Sequence, residues 1–441
     1  MKKIYIIVAS LFFITACSPD LDQSPSNIAN ADSLTDFEGV LNAAYYYQLG
    51  SVTPLAVMAD FRADNAFMFE APYTEFDVFT SNLITMDEQF FRPLYAQMYK
   101  SILSANNVIE NSSDATQVAE AKFLRALSYF KLVKSFGDVG VNLSATPSLI
   151  DASILVRQPA SDVYNNVIIP DLQDAISGLT VSVAYGRASK LAAQSLLGKV
   201  YAASGNFASA ESTLATVVNG AAAAGVSLVD DYSEIFGAEH EVENSEIIYS
   251  TQISSSVVDE YSFGSDFWNW FVGDDSKSDF PVDADLVAAF DASDATGATD
   301  LRRAVTLSAD GKTAIKFPKE GGLGGEHDWI EIRLADVILL YAEALNENGN
   351  TAGALTQLNK IRNRAGLANS TATTQAEVKT AILNERRLEL AFEGHRWFDL
   401  VRTNSVNSEM GENVNPNYYV FPIPVSEILA TDGVITQNPG Y

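Results

Sequence analysis

The chain has one cysteine, three histidines and half as many basic residues as acidic ones. Each shortage excludes something. A single cysteine forms no internal disulfide, so the fold rests on its core and not on cross-links. His240, His327 and His395 lie far apart, off the spacing of metal-ligand motifs. With 28 lysines and arginines against 56 acids, the formal charge is −28. Such a surface repels phosphate backbones, which argues against a nucleic-acid partner. Beyond the first residues no segment is long and apolar enough to span a bilayer. Gly-x-Ser-x-Gly is absent. "GGLGG" at 321–325 lacks the strand-to-helix context and the trailing Lys-Ser/Thr of a phosphate loop. "DASDATGATD" at 291–300 misses the alternate-residue spacing of a calcium loop. Nothing marks the close carboxylate pair that a retaining glycosidase requires. The expectation is a protein with no catalytic residues, no metal and no cofactor.

The one cysteine, Cys17, sits near the start. Lys2 and Lys3 precede the short apolar stretch "IYIIVASLFFITA", which ends in the small residue Ala16. This is the pattern of a secretory signal over residues 1–16, too short for a membrane span. Ile14-Thr15-Ala16-Cys17 resembles a bacterial lipobox, in which the cysteine becomes the lipidated N-terminus. Two or more acyl chains anchor stably where one binds marginally. Removing residues 1–16 takes two lysines and no acid, shifting the formal charge from −28 to −30. Residues 17–35 are polar, carry two prolines and show no apolar period, so they read as a flexible tether.

From residue 36 the pattern turns helical. "FEGVLNAAYYYQL" and "EQFFRPLYAQMYKSILSANNVI" repeat apolar residues at three- and four-residue steps. An internal repeat is visible. Aligning Gly205-Asn206 with Gly349-Asn350 matches Leu197 with Tyr341, Tyr201 with Leu345, Ala210 with Ala354, Leu214 with Leu358 and Val217 with Ile361. This is the helix-turn-helix arithmetic of a tetratricopeptide unit, in which small residues let paired helices approach. The segments around 98–139 and 160–176 offer looser further copies. Helices of this kind are expected over about 88–218 and 331–367. Between them, residues 219–330 are rich in Gly, Ser, Asp and aromatics. They form an irregular lobe with few short strands, "SEIIYSTQIS" being one.

In "ILNERRLELAFEGHRWFDLVRT" at 382–403, Glu385, Glu389 and Glu393 share a helical face with Val378 and Ile382. Arg386, Arg387, Arg396 and Arg402 lie close in sequence. Carboxylates on an apolar face are costly unless paired, so a partly buried ion-pair cluster tying the helices together is expected. Paired carboxylates are poor proton shuttles, because adjacent cations lower their pKa.

"ERRLELAFEGHRWFDLVR" resembles the C-terminal motif of the SusD/RagB family of surface glycan-binding lipoproteins. So do "FPIPVSEILATDGVITQNPGY" at the end of the chain, "EAKFLRALSYFKLVKSFGDV" at 120–139 and "IEIRLADVILLYAEALNENG" at 330–349. One departure is Thr431-Asp432, where the family usually has asparagine. The resemblance implies a mainly α, TPR-like scaffold with a loop-rich lobe carrying the binding surface. Residues 36–441 would form one unit, with the family motif region at 375–441. It also implies a lipid anchor on the outer membrane, facing the cell exterior. The implied partners are an oligosaccharide or polysaccharide and a SusC-like TonB-dependent transporter.

Sugar rings stack their C–H faces on aromatic side chains, while their hydroxyls need amide, carboxylate or guanidinium partners. "YSFGSDFWNWFVGDDSKSD" at 261–279 holds Trp268 and Trp270 on either side of Asn269. In an extended chain the two indoles lie on one side, which makes them the first candidates for a stacking platform. The alternative is a hydrophobic plug. "DFRADNAFMFEAPYTEF" at 60–76 is a second aromatic loop. Its Tyr73 is a candidate because an aromatic from this region joins the site in similar proteins, and alternation at Phe67 and Phe69 fits a buried strand face equally well. Trp329 is a further candidate; Trp397 lies in the family motif and reads as core. A different class of function stays open: a lipid-anchored TPR scaffold organising other proteins, which would bury the 261–279 aromatics. So does a SusD-like protein serving peptide uptake.

The lipobox reading makes a direct prediction. Cys17→Ala should leave the precursor unlipidated and release the protein from the membrane fraction. Metabolic labelling with a fatty-acid analogue checks it, and undiminished label in the variant would refute it.

Overall fold

The computed structural model describes residues 37–147, 152–237, 239–242, 244–254, 267, 269–272, 277, 280–294, 298–317 and 327–441. Cys17 and the tether lie outside the described residues. Numbering helices of seven residues or more, the chain runs α1 (Glu38–Tyr46), α2 (Val52–Asp60), α3 (Arg92–Asn111), α4 (Ala115–Phe136), α5 (Ile169–Gly178), α6 (Lys190–Ala203) and α7 (Phe207–Gly220). It continues with α8 (Ala284–Asp294), α9 (Leu334–Glu347), α10 (Thr351–Arg364), α11 (Gln375–Glu389) and α12 (Arg396–Arg402). Two short antiparallel ladders accompany them. β1 (Val139–Gly140) pairs with β2 (Arg157–Gln158), and β3 (Ile247–Thr251) with β4 (Trp329–Arg333). No helix among the described residues is long and apolar enough to cross a membrane.

Helices stack in sequence order. α3 packs on α4, α4 on α5, α5 on α6, α6 on α7, α7 on α9, and α9 on α10 and α11. The aligned repeat is two copies of one hairpin. Gly205 and Gly349 turn at φ of 76° and 85°, a conformation that costs any residue with a Cβ. The asparagine that follows caps the next helix each time: Asn206 Oδ1 accepts from the Ser209 N–H at 3.2 Å and Asn350 Oδ1 from the Gly353 N–H at 3.0 Å. Ala210, Leu214, Val217, Ala354, Leu358 and Ile361 are all fully buried. The looser copies also form, α3 with α4 and α5 beyond them.

The lobe is less irregular than its composition suggests. "SEIIYSTQIS" contains β3, as expected. Residues 284–294, however, form α8, which packs Leu286 and Phe290 inward despite three aspartates in eleven residues. One continuous hydrophobic core runs through helices and lobe alike.

The expected ion-pair cluster exists, but with other partners. Glu389, fully buried, meets Arg333 at 2.6 Å, Arg302 at 3.1 Å and Arg364. Glu393 pairs with Arg333 at 2.7 Å and Lys316 at 2.5 Å, and Glu385 with Arg302 at 2.7 Å. These cations come from the lobe, β4 and α10. The sequence-adjacent arginines turn elsewhere: Arg386 to Asp336 and Asp399, Arg387 and Arg396 to Asp64, and Arg402 to Glu343 and Asp399. Residues consecutive on a helix point in different directions, so one helix distributes its charges over several neighbours.

Burial alone would raise the Glu389 carboxyl; Arg364, Arg333 and Arg302 outweigh it and hold it far below the usual glutamate range. Glu393, Asp336 and Asp399 are held low in the same way by their cations. A depressed folded-state pKa contributes stability above the unfolded value that is lost as pH falls towards the folded one. Melting temperature should therefore fall steeply below the ordinary carboxylate range, about pH 4. Glu389→Ala should cost about 3–5 kcal/mol by stranding buried arginines and flatten that acid limb. Thermal melts across pH test both; a variant as stable as the parent would show the network to be dispensable.

Candidate functional site: an aromatic strip on the lobe

The loop that follows α2 is pinned from below. Asp60 Oδ1 accepts from Asn65 Nδ2 at 2.8 Å and from the Phe392 N–H at 3.2 Å. Asn65 Oδ1 accepts from Arg387 Nε at 3.0 Å. Arg396 grips Asp64 in a two-pronged pair, both bonds 2.7 Å, the geometry in which guanidinium and carboxylate bind best. Arg62, fully buried, donates to the Phe76 carbonyl at 2.8 Å and lies 4.2 Å over the Phe79 ring. The family-motif arginines thus hold both the start of this loop and the helix beneath it.

Its outer edge joins a second segment. Ala66 bridges Val282, the Phe67 N–H donates to the Pro281 carbonyl at 2.9 Å, and the Asp283 N–H to the Asn65 carbonyl at 3.0 Å. The Val282 N–H donates in turn to the Lys312 carbonyl at 3.1 Å. Aromatic rings flank this bridge. Phe69 is 61% exposed and meets Phe67 edge-on at 4.5 Å. Phe280 is 43% exposed, with Lys312 Nζ 5.0 Å from its ring. Phe280 also holds φ at 53°, which strains a residue with a Cβ. An exposed, strained phenylalanine gains nothing from core packing. Behind the strip, burial pushes the Asp77 carboxyl up to about 7; the Met68 N–H opposes that shift and the Asp283 charge adds to it.

The residues expected from sequence fall as follows. Trp268 lies outside the described residues. Trp270 is buried, 1% exposed, against Tyr73 at 5.2 Å and Phe90 at 5.3 Å, both edge-on. It supports the loop from beneath and offers no face to solvent, as the plug alternative has it, because a whole indole buries more apolar area there than a rim position would leave. Tyr73 is half-buried on Trp270, and Asn269 is half-buried, its carbonyl accepting from the Lys277 N–H at 2.7 Å. Trp329 is 3% exposed in β4, edge-on to Phe267 and against Gly394, where a Cβ would stand 2.9 Å from its Cζ2. Expecting an exposed ring at Trp329 is therefore corrected: it belongs to an interior wall, far from Phe280 in role. Trp397 is core, as expected. Sequence reasoning weighed Phe69 as a strand face and passed over Phe280. The available signal was an isolated aromatic between Asp279 and Pro281, outside any apolar period. No group of three or more His, Cys, Asp or Glu side chains placed to hold a metal occurs among the described residues.

Comparison with known proteins matches two family models. One, the SusD family, covers residues 315–441, and the other, described as starch-binding and associating with the outer membrane, covers residues 17–202. Among curated relatives, SusD-like protein P2 of Formosa agariphila is 27% identical over the whole of both chains. Among solved structures, a SusD superfamily protein from Parabacteroides distasonis is similar with a TM-score of 0.77 at 22% identity, over 92% of this chain and 98% of that one. A laminarin-binding SusD-like protein is similar with a TM-score of 0.73 at 27% identity, over 92% and 99%. The two matched regions hold the motif helices α4 and α11–α12 and the arginines that pin the aromatic loop, and the chain belongs to the SusD/RagB family.

Proposed function

We propose that this protein is a cell-surface glycan-binding lipoprotein that captures oligosaccharide or polysaccharide on the lobe and delivers it to a SusC-like TonB-dependent transporter in the outer membrane. Cys17 would carry the lipid anchor. The observation that carries the reading is the pair of exposed rings, Phe69 and Phe280, on a loop bridge held rigid by buried arginines. Flat apolar rings on a fixed backbone suit the C–H faces of sugars, and the polar groups beside them suit hydroxyls. Tyr73, half-buried on Trp270, and the half-buried Asn269 are proposed as further contacts. A family described as starch-binding and a laminarin-binding relative support the ligand class. Laminarin, a neutral glucan, is the first ligand to try.

Neutral recognition by stacking is nearly salt-independent, since screening acts on charges and reaches only about 8 Å at physiological ionic strength. Phe69→Ala should weaken laminarin binding about tenfold, roughly 1.4 kcal/mol, with little change in melting temperature. Phe280→Gly separates strain from contact. It removes the ring but suits the positive φ, so it should melt no lower than the parent and still lose about tenfold in affinity. Trp270→Ala should instead lower stability by about 3–5 kcal/mol through the cavity it leaves. Isothermal titration beside thermal melts reads all three. If a panel of polysaccharides including laminarin shows no binding to the parent protein, the glycan reading fails, leaving the scaffold and peptide-uptake readings.

A further inference from the structure

A cavity of about 300 Å3 lies between α4, α6 and α12, and none of its lining residues belongs to the aromatic strip. Its wall is mostly apolar, with Phe130, Tyr164, Trp329 and Phe398 among the lining rings. Three lysines also reach it: Lys131, Lys134 and Lys199. Two are matched. Lys131 pairs with Glu331 and donates to Ser51 Oγ at 2.9 Å, and Lys199 meets Asp336 at 2.6 Å. Lys134 has no carboxylate within ion-pair distance among the described residues. Its ammonium rests against rings instead, 4.5 Å from the Phe398 centroid and 5.9 Å from that of Phe130.

A ring face attracts a cation but does not neutralise it. Burial draws the Lys134 pKa down to about 7; Glu331 and Asp336 oppose the shift, while Lys199 and Lys131 reinforce it. His395, also on the wall, is held neutral by burial, its pKa drawn down to about 3. It offers a hydrogen bond and no second charge. The wall also carries Arg386 and Arg402, matched by Asp336, Asp399 and Glu343, and Glu393, matched by Arg333 and Lys316. Beside these paired charges the cavity presents one unmatched cation and one neutral ring among largely apolar walls. A phosphate or sulfate would bring more acceptors than these two groups serve and nothing for the rings to cover. One negative charge on an apolar body fits both halves, and 300 Å3 is within the range of small-molecule pockets.

We propose that this cavity is a binding site for a small organic carboxylate with an aromatic or aliphatic body, its carboxylate paired with Lys134. The site is independent of the glycan surface. The test is isothermal titration of the full chain in detergent with phenylacetate and hexanoate, and with phenylacetamide as the neutral counterpart. At least one acid should bind at least tenfold more tightly than the amide. Pairing holds the proton on Lys134, so binding above pH 7 should take up part of a proton, read from two buffers of different ionisation enthalpy, and should weaken as pH rises from 6 to 8. Lys134→Met keeps the stem and removes the charge. It should lose acid binding and proton uptake while keeping the parent's melting temperature and laminarin affinity. Failure of both acids to bind at millimolar concentration, equal affinity for the amide, or undiminished acid binding by Lys134→Met would each overturn the proposal.

Discussion

The arrangement on which the rest depends is the buried sharing of Glu389 and Glu393 by Arg302, Lys316, Arg333 and Arg364. Each of these charges is expensive to take out of water, and none is tolerable alone. Together they are satisfied only when α10, α11, β4 and the lobe segment around 300–316 are all in place. The network therefore acts as a register: it contributes modestly as a set, but any incomplete assembly is heavily penalised. A loop-rich lobe with little regular structure is held in one position against a helical stack by this requirement.

The same economy reaches the surface. Arg387 and Arg396 leave the motif segment and close on Asp64 and Asn65, at the root of the aromatic loop. The strain at Phe280 persists because the bridge from Asn65–Phe67 through Pro281–Asp283 to Lys312 fixes the backbone that follows it. At the proposed glycan surface, scaffold residues would thus act on recognition without touching a ligand. They fix where the rings stand, and a rigid ring loses less entropy on binding than a mobile one.

Charge is partitioned in a way the overall count hides. Arg62, Arg302, Arg333 and Arg386 are fully buried and matched to interior groups. Arg302, Arg333 and Arg386 are buried with acids such as Asp300, Glu246, Glu389 and Asp336, so burial removes both signs and the surface keeps the acid excess of a chain with twice as many acids as bases. Such a surface favours neutral ligands and confers solubility. Within the cavity, the unmatched Lys134 stands out beside Lys131 and Lys199, which are paired.

The sequence by itself determined the hairpin repeat, because Gly-Asn turns and a 3.6-residue apolar period are local physics, and the repeat at 205 and 349 formed as its spacing required. It also determined that Glu385, Glu389 and Glu393 had to be paired, since an apolar helix face leaves a carboxylate no other option. It did not determine with whom. Arg302 and Arg333 lie 87 and 56 residues from Glu389, and only folding brings them there in preference to Arg386 and Arg387 next door. The site followed the same division. Composition located aromatic loops at 60–76 and 261–279, but exposure is a property of neighbours: Trp270 and Trp329 met enough apolar surface to be buried, while Phe69 and Phe280 did not. Which ring faces water is decided by what packs behind it, and that is information distributed over the whole tertiary structure.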